Sequence, residues 1–94
     1  MLVLSPRARR DFIDILRYTG ETWGESQLHA YRDKINGALQ LIGRQPALGH
    51  RAPGLPDTHR LCLVGSQVIV YRDQVTSVAV VRILQQRMSL AGQV

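Results

Sequence analysis

Few residues in this chain could do chemistry, and they do not gather. The three histidines, His29, His50 and His59, are scattered. None stands at metal-ligand spacing from another His, Cys or acidic residue. Cys62 is the single cysteine, so neither an internal disulfide nor a cysteine-based metal site is expected. No Gly-rich phosphate loop is present. Ser5, Ser26, Ser66, Ser77 and Ser89 lie in no nucleophile motif. No cofactor is expected. One route to catalysis remains: arginines stabilising a phosphate transition state beside an acid or base. Arg60 and Arg82 would supply the charge, with Tyr71 as the acid or base. A phenol with an ordinary pKa of about 10 is a poor base unless tuned. His59, by strand alternation, points away from both arginines.

The elements that must position these groups fit one domain, residues 1–94. The apolar content of 45% is that of an ordinary globular protein. No run approaches the roughly 20 apolar residues of a membrane span. The start, Met1 to Pro6, is too short and too soon broken for a signal peptide, so the cytoplasm is expected. Net charge is +5, and eleven of the twelve basic residues are Arg, Lys34 being the exception. Arg suits flat, bidentate recognition of carboxylate or phosphate. The expected partner is therefore acidic: a protein, a nucleic acid, or both.

Leu2-Val3-Leu4 reads as a first strand. Ser5-Pro6 announces a helix, with Ser at the N-cap and Pro at the first helical position. Ala8, Phe12, Ile15, Leu16, Thr19 and Trp23 then recur at three- and four-residue spacings, which predicts a helix from about Pro6 to Thr22. Arg10 and Asp14, and Arg17 and Glu21, are four apart, so pairing on the solvated face is expected. Trp23-Gly24-Glu25-Ser26 breaks the chain, and Trp23 is expected to be buried at the corner. A second helix follows from about Ser26 to Ile42, with Gly43 as its C-cap. A link this short makes the two helices an antiparallel hairpin. Residues 43–58 form a loop that is too hydrophobic, with Leu48 and Leu55, to hang free. It is expected to cross an edge of the domain and pin itself there. Strands follow at 59–64, 67–72 and 76–84. The expected fold is α+β, in the order β-α-α-β-β-β, with the helical hairpin packed on a small, mainly antiparallel sheet. The tail from Gln85 allows one helical turn over residues 87–91.

Val78 to Leu84 is the longest apolar run, interrupted by Arg82. Two-residue turns at Gly65-Ser66 and Asp73-Gln74 would set Leu63 opposite Val68, and Val68 opposite Ala79. Side chains opposite each other share a side of the sheet. One side then collects Leu61, Leu63, Val68, Val70, Ala79, Val81 and Ile83 for the helices to cover. The other side carries Arg60, Cys62, Ile69, Tyr71, Thr76, Val78, Val80, Arg82 and Leu84. A monomer rarely leaves such a patch bare, so Arg60, Tyr71, Val78, Val80 and Arg82, bordered by Arg87, are the expected partner-binding residues.

These pieces resemble the ParE toxins of the RelE/ParE toxin–antitoxin superfamily. The resemblance runs through Leu4-Ser5-Pro6-Arg7-Ala8 into Asp11, Ile15 and Tyr18, then Trp23-Gly24 and Tyr31. It continues in Pro46-Ala47-Leu48-Gly49, His59-Arg60, Val70-Tyr71-Arg72 and Val81 to Met88. It implies a toxin of a type II system, held inactive by a cognate acidic, ParD-like antitoxin in a hetero-oligomer, with DNA reached only through the antitoxin. It implies DNA gyrase as the target, blocked by binding. RelE-type relatives instead cleave mRNA on the ribosome, using basic residues and a C-terminal tyrosine or similar acid/base. Many ParE-like sequences have a His after Arg-Ile-Leu. Gln85 stands there in this chain, and Gln cannot move a proton at neutral pH, so a binding toxin is expected over an enzyme.

Overall fold

The computed structural model describes residues 1–74, 76–87 and 90. The chain runs β1 (Leu2–Leu4), α1 (Pro6–Trp23), α2 (Glu25–Arg44), a single 3-10 turn (Pro46–Leu48), β2 (His59–Val64), β3 (Gln67–Asp73) and β4 (Val78–Gln85). The strands lie in the order β1-β4-β3-β2. β1 runs parallel to β4, and the other pairs are antiparallel. This is the expected α+β order, with a mixed sheet. None of the described helices is long and apolar enough to cross a membrane.

Ser5 joins the first strand, the first helix and the last strand. Its hydroxyl accepts from the Ala8 N–H at 3.0 Å, capping α1, and donates to the Val81 carbonyl at 2.9 Å. Such a cap is worth about 1 kcal/mol. Pro6 enters at the first turn, where its missing N–H costs nothing. Gly24, at φ 93°, separates the helices in a backbone conformation that side chains resist. Gly43 is not the end of α2, which continues to Arg44 with Gln45 as its cap. A Cβ on Gly43 would sit 3.3 Å from the Leu2 Cβ, so the residue is small there because β1 passes close by.

The loop after α2 docks as expected. His50 bridges Leu61 of β2, N–H to carbonyl in both directions at 2.8 Å. That closes the outer edge of β2. Of the expected tail turn, Met88, Ser89 and Ala91 lie outside the described residues.

The sheet faces differ from expectation. The first hairpin has the predicted register, with Leu63 opposite Val68 and Arg60 opposite Tyr71. The second does not: Asp73 faces Val78, Val68 faces Leu84, and the ladder shifts at Val70/Tyr71. A bulge adds a residue to one strand and flips the residues beyond it to the other side. Ile83 therefore joins Ile69 and Tyr71, while Leu84 joins Val68 and Val70. The helices cover the side expected to be open. Tyr71, Val78, Val80, Ile69 and Ile83 are buried with Ala8, Ile35, Leu39 and Ile42. Burying each Val, Leu or Ile side chain there stabilises by about 1.5–3 kcal/mol. On the opposite side, Val68, Val70 and Leu84 are buried against Leu55, Leu61 and Leu90. Leu63, an expected core residue, is 59% exposed.

Trp23 is also corrected: it is 69% exposed at the end of α1. Gly20 explains this in part. A Cβ there would overlap the Leu28 side chain, so Leu28, not Trp23, fills the gap between the helices. The close ion pairs among the described residues are Arg82–Asp11 and Arg32–Asp33, with a 3.4 Å contact between His29 Nε2 and Glu25, in place of the expected Arg10–Asp14 and Arg17–Glu21.

Candidate partner-binding surface

The expected binding residues do not form one exposed face. Val78 and Val80 are 3% and 0% exposed, beneath the helices. Tyr71 is fully buried, and its hydroxyl accepts from the Gly49 N–H at 2.9 Å and donates to the Pro46 carbonyl. Arg60 sends Nη1 to the Gly49 carbonyl at 3.0 Å. Arg60 and Tyr71 thus hold the loop at Gly49 from both backbone ends. Burial, the larger effect, pushes the Tyr71 phenol up from its ordinary value, against a smaller pull downward from the Gly49 hydrogen bond and Arg60. Raising the pKa makes it a weaker acid, and both sides of its hydroxyl are engaged.

Arg82 is held by α1. β1 is three residues long, so β4 loses its parallel neighbour after Val80. Asp11 takes that position. Its carboxylate accepts from Arg82 Nε at 2.8 Å, from Arg82 Nη2 at 3.2 Å and from the Ile83 N–H at 3.0 Å. The pair is largely shielded, with side-chain exposures of 11% and 14%. The guanidinium expected to greet a partner instead clips α1 to β4. Sequence reasoning misses Asp11 as its partner because 71 residues separate them; the only signal is an acidic residue on the apolar flank of α1.

Arg87 is the one expected residue that stays on the open surface. It lines a cleft of about 1000 Å³ with Tyr18, Trp23, Tyr31, Gln67 and Gln85. Tyr18 is 62% exposed there. A second groove, of about 790 Å³, runs along β1 and α2 between Arg9 and Arg44.

His59 lies directly opposite Arg72 across β2 and β3. Partial burial, then the Arg72 charge, lower its pKa from 6.5. Both disfavour the imidazolium. Stability from this residue is therefore complete above pH 6.5 and is lost as pH falls through the lowered folded value. An NMR titration of His59 will show a midpoint below 6.5, and Arg72→Ala will move it upward.

Over residues 2–90 the chain matches the family described as ParE toxin of type II toxin-antitoxin system, parDE. It belongs to the ParE toxin family. It is 34% identical to Toxin ParE1 of Caulobacter vibrioides, across 92% of this chain and 88% of that protein. It is 30% identical to Toxin ParE1 of Mycobacterium tuberculosis, across 94% and 91%. In fold it is similar to a solved chain of the chromosomal ParDE TA system from P. aeruginosa, with a TM-score of 0.77 at 14% identity, covering 89% of this chain and 92% of that one. This ParE toxin therefore carries the family's architecture along nearly its full length.

Proposed function

We propose that this ParE toxin acts by binding and not by cutting RNA, that DNA gyrase is its target, and that an acidic, ParD-like antitoxin neutralises it in the cytoplasm. The observation that carries the reading is the engagement of the two groups an RNA-cleaving site on the sheet would need. The Arg82 guanidinium lies on Asp11, and the Tyr71 hydroxyl lies between Gly49 and Pro46. After Arg82-Ile83-Leu84 stands Gln85, which carries no proton to transfer. The charge of +5 favours an acidic partner in both affinity and encounter rate. Of the residues expected at the interface, Arg87 belongs to the surface a partner meets. Tyr71, Val78, Val80 and Arg82 act from within the fold, and Arg60 acts through the Gly49 loop.

Two assays with the purified toxin test this. Inhibition of gyrase supercoiling without codon-specific mRNA cuts on ribosomes is the expected result. Cuts without inhibition would establish the endonuclease of RelE type. Neither activity, with no growth arrest on expression, would leave an inactive antitoxin-binding corepressor.

A further inference from the structure

The outer side of α1 carries arginines that the fold does not use. Arg9, Ile13 and Arg17 follow one another at four-residue steps, and Arg10 stands three residues before Ile13 and seven before Arg17. That spacing puts all four on one stripe of the helix. All four are exposed, and Ile13 is 52% exposed. Among the described residues no close ion pair engages Arg9, Arg10 or Arg17. Asp14 lines the cleft that holds Tyr18 and Trp23. Arg9 instead lines the second groove, which it shares with Arg44 and in which no described residue is acidic. The stripe and Arg44 therefore make a basic surface along the α1 side of that groove.

We propose that this surface binds the backbone of duplex DNA, with the stripe of α1 laid along the major groove. Guanidinium groups suit phosphate. Arg9 to Arg17 spans about 12 Å of helix, enough to meet several phosphates at about 3.4 Å per step of one strand. A helix of about 10–12 Å diameter matches the major groove of B-DNA, about 12 Å wide. The major groove of an RNA duplex is too deep and narrow to admit it. Single strands are held on aromatic platforms, and protein interfaces are anchored by Trp and Tyr. Here Tyr18 and Trp23 line the other cleft, and Ile13 is the apolar member of the stripe. The family resemblance implies DNA reached only through the antitoxin; this stripe gives the toxin a contact of its own. That contact is independent of gyrase inhibition, so its absence would leave the supercoiling result standing.

The test titrates a labelled short DNA duplex with the full-length toxin and follows anisotropy over a series of salt concentrations. With Arg9, Arg10, Arg17 and Arg44 each on a phosphate, log K will fall against log salt with a slope of about −3.6. Arg9→Gln with Arg10→Gln will halve that slope to about −1.8, and Arg17→Gln alone will reduce it by about 0.9. These side chains are exposed, and an unchanged melting temperature will show that each variant is folded. Lys34→Gln with Arg72→Gln removes the same charge from other exposed positions and will keep the wild-type slope. Wild-type toxin that does not bind the duplex overturns the inference. Equal losses in the two double variants also overturn it, because net charge alone would then explain the binding. An RNA duplex or a single strand bound as tightly as the DNA duplex overturns the seat in the DNA groove.

Discussion

Asp11→Ala will lower the stability of this fold by about 3–5 kcal/mol, the usual consequence of removing one member of a shielded ion pair. The carboxylate has three dependants: two guanidinium nitrogens of Arg82 and the Ile83 N–H. Its loss strips the counter-charge from an arginine whose side chain is 11% exposed, and it removes the acceptor from an N–H beyond the end of β1. Urea unfolding measures the loss directly. Arg82→Met will cost less than Asp11→Ala, because Asp11 keeps the Ile83 N–H as a partner and methionine fills much of the space of the arginine stem. Replacing both residues together, Asp11→Leu with Arg82→Met, will recover much of the single-variant loss, because apolar pairs of similar volume often match or exceed a buried ion pair. If Asp11→Ala unfolds at the wild-type urea concentration, Asp11 does not clip α1 to β4.

Tyr71→Phe will cost about 3 kcal/mol by leaving the buried Gly49 N–H and the Pro46 carbonyl each without their partner. The same substitution will speed hydrogen exchange at Gly49, because the Gly49 N–H loses its acceptor while Arg60 still holds the Gly49 carbonyl. Gly49→Ala attacks the same joint from the other side. A Cβ there would overlap the Tyr71 hydroxyl and lie 2.9 Å from the Leu61 carbonyl, which demands a backbone shift. Its cost should equal or exceed that of Tyr71→Phe. The joint also has a pH signature. The folded phenol has a raised pKa, so the unfolded chain releases that proton first as pH rises. Stability from Tyr71 is full below its unfolded value near 10 and is lost as pH climbs through the folded value. Wild-type protein will lose stability in that alkaline range, and Tyr71→Phe will lack this component. Identical alkaline profiles would contradict the assignment.

Local chemistry made most of the fold legible. Ser5 and Pro6 announce α1, and the spacing of Ala8, Phe12 and Ile15 sets its inner side; both are interactions within a few residues. Gly65-Ser66 sets the first hairpin correctly, because a short turn leaves the flanking strands one register. The hydrophobic loop around Leu48 and Leu55 could not stay in solvent, and it did pin itself to β2. The resemblance in Ser5-Pro6, Trp23-Gly24, Tyr71-Arg72 and Arg82-Ile83-Leu84 points to the ParE toxins, and the match over residues 2–90 places the chain there.

The site was less legible, and one residue accounts for much of the reason. The turn before β4 offers no glycine to fix its geometry, and the pairing across it is four residues out of the expected register near Val78. The bulge then reverses the sides of Arg82, Ile83 and Leu84. Composition gave no warning, since both sides of β3 are apolar and both are buried. Asp11, lying far off in sequence, decides what Arg82 does. A run of Val, Ala, Ile and Leu determines that Val78–Leu84 is a central strand by itself. Which of its side chains face the helices, and whether its arginine meets a partner or a carboxylate, is decided only when strands and helix pack together. Where no tight turn fixes it, as between β3 and β4, register is a property of that packing, as is long-range charge pairing, and neither is written in the local sequence there.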